Sequence, residues 1–401
     1  VVDRGDWRRG DAAIDGSALD VLSSARFGLI MRRSSVLRLC ASAVLLASAM
    51  QHGCVSNAGM LIAQGLPSYN ESAALAVNQQ LLLNLVRLRY RDTPFFLELG
   101  TLSAQQTTSF NASLGGAASA LPAAPAGSIT SGVGATFSAT PTVIFTPLQG
   151  EAFVRRLLAP IPVTAVMALA QSGWSVARVM SLLLEQIGPL ENASAASGPT
   201  PDTAPTFESF AAFARDLRAL QLAGSLQFGV AVNTAPGAGP VPAIALTETD
   251  GVRDVVARVR SNLGVINAPA VLPLLSDAAL ERPEGGLRVR TRSLLGALFL
   301  LSHSVRPPER HVRAGLVTVT RRPNGAPFDW NDALSALMRI ESSTAEPSDA
   351  FVRVQYRGHW FYLRDNDLES KSTFMLLSEV FSMQAGSSNA MAPALTLPLG
   401  R

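Results

Sequence analysis

Apolar positions recur at helical spacing from about Glu71 to Tyr90, where Leu81, Leu82, Leu85, Val86 and Leu88 make one broad face, so the pattern predicts a helix. Asp92-Thr93-Pro94 ends it, because proline disfavours helical geometry in the residue before it. Phe95 to Leu99 then reads as a buried strand. The period changes next. From Thr107 to Leu114, Phe110, Ala112 and Leu114 alternate with Ser109, Asn111 and Ser113. From Ile129 to Ala139, Ile129, Val133, Ala135 and Phe137 alternate with Thr130, Gly132, Gly134, Thr136 and Ser138. Two runs of period two predict an antiparallel pair with one apolar and one polar face. No charged residue falls between Gly100 and Gly150.

Beyond this pair the pattern is irregular. Thr142 to Pro147 reads as strand; Gly150 to Leu158, Val163 to Gln171 and Val176 to Ile187 read as helices punctuated by Pro160, Pro162 and Gly173. Glu191 to Thr206 is rich in Ser, Ala, Pro and Thr and predicts a linker. Phe210, Phe213, Leu217 and Leu220 mark a helix over Phe207 to Ala223, and strands are expected at Leu226–Val232 and Ala243–Leu246. Helix is expected over Gly251–Leu263 and Leu294–Ser304, and strand over Arg288–Thr291 and Gly315–Thr320. A hairpin of Val352–Tyr356 and Trp360–Leu363 turns at Arg357-Gly358, followed by a helix from about Leu368 to Ala385 and a strand at Ala394–Leu397. Helices mixed with antiparallel hairpins in irregular order predict an α+β fold. The expected division is 70–190, the linker 191–206, and 207–401.

Ahead of these elements lies a segment of another kind. Arg32, Arg33 and Arg38 flank an apolar run from Leu39 to Met50, and Gly53 stands directly before Cys54. About 12 apolar residues are too few for a membrane-spanning helix, which needs about 20, and suit the core of an export signal. Ala49-Met50-Gln51-His52-Gly53-Cys54 resembles the end of a bacterial lipoprotein signal, which implies lipidation of Cys54; ordinary cleavage near Ala49 is the alternative. Residues 31–53 are thus expected to be a signal peptide and 54–69 a tether. Residues 1–30 are read as an upstream extension ahead of the natural start at Met31, or as a disordered leader. Val55 and Ser56 lack the aspartate that retains such proteins in the inner membrane of enteric bacteria, so the outer membrane is expected.

The formal charge of +3 changes little, because seven arginines and five aspartates lie in 1–54 and leave 26 basic against 25 acidic groups in 55–401. Nothing points to nucleic acid as a partner, since that needs a clustered basic face. Lys371 is the only lysine and no cysteine follows Cys54, so disulfides and thiolate sites are excluded from the mature chain.

Chemistry-bearing residues are sparse. His303 and His311 are eight apart with Pro307 and Pro308 between, which is no metal-ligand spacing, and each histidine, His359 included, reads as an isolated satisfied or exposed side chain. Asp365-x-Asp367-x-Glu369 offers oxygens for a hard cation but lacks the glycine turn and distal glutamate of a calcium loop; Asn366 as a helix cap is preferred. Arg87, Arg89, Arg91 and Asp92 read as a solvated face with salt bridges rather than an anion site. Tyr356, His359, Trp360 and Tyr362 form an aromatic hairpin able to stack on a sugar, against core or cross-strand packing. No cofactor, metal or catalytic set is expected.

Gln80 to Pro94, Thr146-Pro147-Leu148-Gln149-Gly150-Glu151 and Tyr356-Arg357-Gly358-His359-Trp360-Phe361-Tyr362 resemble segments of uncharacterised bacterial envelope lipoproteins. The resemblance implies localisation and a shared architecture over most of 70–400, and no activity. The expected function is a lipid-anchored outer-membrane protein, facing the periplasm, with a structural or partner-binding role and no enzymatic activity assigned. One alternative is an oligomeric pore or export subunit contributing its 107–139 hairpin, with Phe110, Leu114, Val133 and Phe137 on the membrane or oligomer face, to a shared barrel. Another is a protein that binds or hydrolyses cell-wall or surface glycans. Expected partners are the membrane, envelope proteins or further copies of the chain.

Overall fold

In the computed structural model, which describes residues 70–116, 129–231, 239–277, 286–385 and 395–398, the first helix, α1, spans residues 70–89. Leu81, Leu82, Leu85, Val86 and Leu88 are all buried, so the helical period is the period of the core. Arg91 ends the helix with φ 60, and Asp92 N–H reaches the Arg87 carbonyl at 2.9 Å. The arginine face is not uniformly solvated: Arg89 is buried, which corrects that expectation.

The next two strands, β1 (Phe96–Gly116) and β2 (Ile129–Leu148), form one antiparallel ribbon far longer than the alternating runs alone. Register runs from Phe96↔Leu148 to Gly116↔Ile129, with a shift between Leu99 and Leu102. Phe110 faces Ala135, Ala112 faces Val133, and Thr108 faces Phe137; Ser109 meets Thr136 and Asn111 meets Gly134. Positions 110, 114, 133 and 137 therefore share one side of the pleat.

The ribbon's root is held by α1 side chains. Gln80 accepts from Leu97 N–H at 3.0 Å and donates to the Leu97 carbonyl at 2.9 Å. Asn84 accepts from Phe95 N–H at 2.9 Å and donates to the Phe95 carbonyl at 2.8 Å. Two amides one helical turn apart thus match two alternate residues of the strand, because about 6 Å of helix rise equals about two strand residues.

Helices α2 (Glu151–Leu158), α3 (Val163–Gln171) and α4 (Val176–Leu183) follow, and Gly173 makes a turn at φ 98. The helix expected to reach Ile187 stops four residues early and becomes strand β3 (Leu184–Ile187), paired with β4 (Leu190–Glu191). The cause is remote. Asn192 Nδ2 donates to the carbonyls of Ser181 at 2.9 Å and Leu184 at 2.7 Å. Arg292 N–H bonds the Leu183 carbonyl at 2.7 Å, and its guanidinium also donates to the carbonyls of Leu184 and Asn192. These groups satisfy the orphan carbonyls of the helix end.

Residues 191–206, expected as a linker, are part of the packed body. A 3₁₀ turn at Ser194–Ser197 buries Ala196, and Ala193 and Thr200 are buried too. Small residues at these positions allow close approach to the helix Leu294–Ser302, which a composition rich in Ser, Ala and Pro disguises as looseness.

The remaining elements are α5 (Glu208–Leu222), β5 (Leu226–Ala231), β6 (Val241–Leu246), α6 (Arg253–Asn262), β7 (Val271–Ser276), β8 (Leu287–Thr291), α7 (Leu294–Ser302) and α8 (Glu309–Arg313). Then come α9 (Asn331–Leu334), β9 (Glu341–Ser343), β10 (Ala350–Tyr356), β11 (His359–Arg364), α10 (Leu368–Ala385) and β12 (Leu395–Pro398). Ser293 caps α7 by accepting from Gly296 N–H at 3.0 Å. One six-stranded sheet runs β4-β3-β8-β7-β6-β5, antiparallel except for β7–β8. A second is β10-β11-β9, and β12 pairs with residues 142–145 of β2. The fold is α+β, and residues 73–401 make one compact unit.

Two local expectations are corrected. Gly315 to Thr320 forms no strand, starting in a turn with Gly315 at φ 69; the Thr320 hydroxyl donates to the Pro201 carbonyl at 2.7 Å, a coil neighbour. Asp367, not Asn366, caps α10, accepting from Ser370 N–H at 3.1 Å and from its hydroxyl at 2.8 Å. Asp365 pairs with Lys371 and Glu369 with Arg178, so these carboxylates are spent on internal bonds. Among the described residues no cluster of three or more His, Cys, Asp or Glu is arranged to hold a metal, and no helix is long and apolar enough to cross a membrane.

Candidate functional site

The last turn of α1, the β10–β11 hairpin and α8 bring together the aromatic and ionisable residues that the chain scatters. Tyr356 pairs across the ladder with His359, and the two-residue turn between them has positive φ at both Arg357 (48) and Gly358 (75). Both central residues in the left-handed region define the turn type that matches strand twist. Pairing sets the faces. Tyr356, His359 and Phe361 point to the core side, while Trp360 and Tyr362 lie on the other side of the same hairpin. The four aromatic-hairpin residues therefore do not make one platform for a sugar.

On the inner side, Tyr90 OH lies 2.7 Å from His311 Nδ1. The Tyr90 ring packs against His311, Tyr356 and Phe361 at centroid separations of 5.7, 5.5 and 6.1 Å. His311 and His359 meet edge to face at 4.9 Å. Arg310 donates to His359 Nδ1 at 2.7 Å, so that nitrogen is the acceptor. Arg357 lies over the rings of Tyr90 and Tyr356 and bonds Asp92 at 2.9 Å, and Tyr356 OH also donates to Asp92.

The electrostatics follow from these contacts. Burial alone would raise the Asp92 carboxyl, but hydrogen bonds from Tyr356 and Arg357 prevail and hold it below the usual range. Burial pushes Tyr90 up to about 12. Burial, helped by His359, Arg310 and Arg357, lowers His311 and keeps it neutral near pH 7. On the outer side, Tyr362 OH donates to Glu341 at 3.1 Å, and Arg364 holds the same carboxylate at 2.8 Å. The polar tips of Tyr356, Arg357, His359 and Tyr362 are thus bonded within the protein, and the Tyr356 and Arg357 bonds to Asp92 fasten β10–β11 to the end of α1.

A cavity of about 310 Å³ adjoins this cluster, walled by Arg89, residues 303–307, Val317, Val319, Thr320 and Phe328 to Asn331. Arg89 NH1 donates to Thr200 Oγ1 at 3.0 Å and the Thr318 carbonyl at 3.2 Å. Trp330 stacks on His303 at 4.2 Å, and its Nε1–H donates to Thr320 Oγ1 at 3.1 Å. Burial, with Arg89 second, pushes His303 down to about 3, the Ala196 backbone opposing.

Of the residues singled out in the sequence, Cys54 lies outside the described residues, and Phe110, Leu114, Val133 and Phe137 sit in the ribbon. Tyr356 and His359 join the inner cluster; Trp360 and Tyr362 do not. His311 and His303, expected as isolated, both belong to buried aromatic groups. Arg89, read with Arg87, Arg91 and Asp92 as a solvated face rather than an anion site, is buried on the cavity wall, and Tyr90 and Trp330 were missed. Only the Arg357-Gly358 turn, which forces Tyr356 opposite His359, was readable locally; the Tyr90–His311 and Arg89–Thr318 contacts join residues more than 200 positions apart. No protein-family model, curated protein or solved structure matches the chain.

Proposed function

We propose that the chain is a lipid-anchored protein of the bacterial outer membrane, facing the periplasm, with a structural or partner-binding role carried by its ribbon. The anchoring half of the reading rests on the arginine-flanked apolar run that ends at Gly53-Cys54. The partner-binding half is supported by one observation: β1 and β2 form a ribbon free of charge from Gly100 onward whose outer edges are largely unpaired among the described residues. Among the described residues, beyond the Gln80 and Asn84 contacts at its root, β1 has β2 as its strand neighbour, and β12 pairs with residues 142–145 of β2. Proteins normally protect such edges with charge or cover, and a lone two-stranded ribbon is marginal in water. A role in association answers both difficulties.

A second reading, the pore or export subunit, is favoured by strand length. Strands of 21 and 20 residues exceed the 9–11 or so that cross a bilayer in a barrel. Several copies, each giving one ribbon, would close the edges against one another. The glycan reading draws less support, because the aromatic hairpin divides its rings between two faces.

Replacing the lipid acceptor tests the anchor. Cys54→Ser is expected to move the protein from the membrane fraction to the soluble periplasmic fraction and to lose the mass of the acyl group. Unchanged fractionation of that variant would overturn the anchor.

A further inference from the structure

Two arginines are buried in the body without an ion pair among the described residues, and they differ in a way that points to a ligand. Arg292 spends its donors on the protein: Nε on Ser197 Oγ at 3.0 Å, and its two amino groups on carbonyls that include those of Leu184 and Asn192. Arg89 is only 6% exposed, yet its recorded bonds are both made by NH1, and its Nε is buried without a partner. The charged neighbours that act on it are Tyr90 and Arg91, with no carboxylate among them. A buried guanidinium left so is costly unless something supplies the missing acceptor.

We propose that the cavity walled by Arg89 binds a small organic carboxylate with a flat apolar body. The charge fits because a guanidinium fork pairs with a carboxylate better than with any neutral group. The body fits because Val305, Val317, Phe328 and Trp330, all buried, line the same space. His303 adds a neutral ring stacked on Trp330, which extends the flat wall without adding charge. Asp329, the acid on this wall, accepts through Oδ1 from Asn331 N–H at 2.9 Å and from the Asn331 side-chain amide. A volume of about 310 Å³ suits a single substituted ring rather than a peptide or a sugar chain.

The test uses the full chain in detergent with three probes: benzoate, benzamide, which has the same shape without the charge, and inorganic phosphate, which has charge without the ring. Calorimetry is expected to find benzoate at least about tenfold tighter than either of the others, the size of one charge-assisted hydrogen bond. Benzoate should also quench fluorescence in the wild type and not in Trp330→Phe. Arg89→Gln should abolish the preference for benzoate over benzamide. Should that variant fail to fold, the wild-type comparison decides by itself. No benzoate binding, benzamide binding equal to benzoate, or phosphate binding as tight as benzoate would each overturn the proposal.

Discussion

Asp92 shows how one residue at the end of α1 ties the N-terminal and C-terminal parts of the body. It receives Tyr356 and Arg357 from the turn of the β10–β11 hairpin, 264 and 265 positions away. Its carboxyl is held below its ordinary range despite partial burial, so the bond contributes stability that is present above the unfolded carboxylate pKa and is lost as pH falls through the lower folded one. Tyr356→Phe is therefore expected to lower urea stability by about 1 kcal/mol at neutral pH, discounted because Asp92 is about a third exposed. The deficit should shrink only in strong acid; an equal deficit at every pH would show that the hydroxyl acts by packing alone. His311 works in the same direction, since a histidine buried in its neutral form loses stability as pH falls below its unfolded value. None of this was legible at residue scale, because charge spacing along α1 cannot show which charge the remote hairpin covers.

Elements were legible where one period ran long enough. The leucines of α1, the phenylalanines of α5 and the alternation of 107–114 with 129–139 each announced their element, and the ladder sets Phe110 opposite Ala135 and Ala112 opposite Val133. Misreadings came where a remote group overruled a local preference, as at Leu184, or where small residues packed tightly, as at Ala193 and Ala196. Strands β7 and β9 went unseen because Val271–Ser276 carries a proline and Glu341–Ser343 is only three residues long. The most unusual junction between elements is the pair of amides from Gln80 and Asn84 on the root of β1. Asn84→Ala should cost about 1–2 kcal/mol and speed hydrogen exchange at the Phe95 amide while leaving Leu97 protected by Gln80. Unchanged exchange at Phe95 would mean that the strand needs no such support.

At the scale of the whole molecule, a packed α+β body carries a ribbon whose nominal length is about 70 Å at about 3.3 Å per residue. The body has an extensive buried core, whereas a two-stranded ribbon is marginal in water by itself. Detergent-extracted particles are therefore expected to be oligomeric by light scattering, and Phe110→Glu with Phe137→Glu, on one side of the pleat, should reduce them to single chains with the body still folded. Monomers in the wild type would remove the shared-barrel reading and leave other envelope proteins as the ribbon's partners. The body's own assembly has an order built into it. Arg292 gathers carbonyls from residues about a hundred positions upstream, and without it the stretch from Val176 has every local reason to stay helical through Ile187. A chain made from its N-terminus thus reaches this guanidinium only about a hundred residues after the helix end whose carbonyls it helps to satisfy.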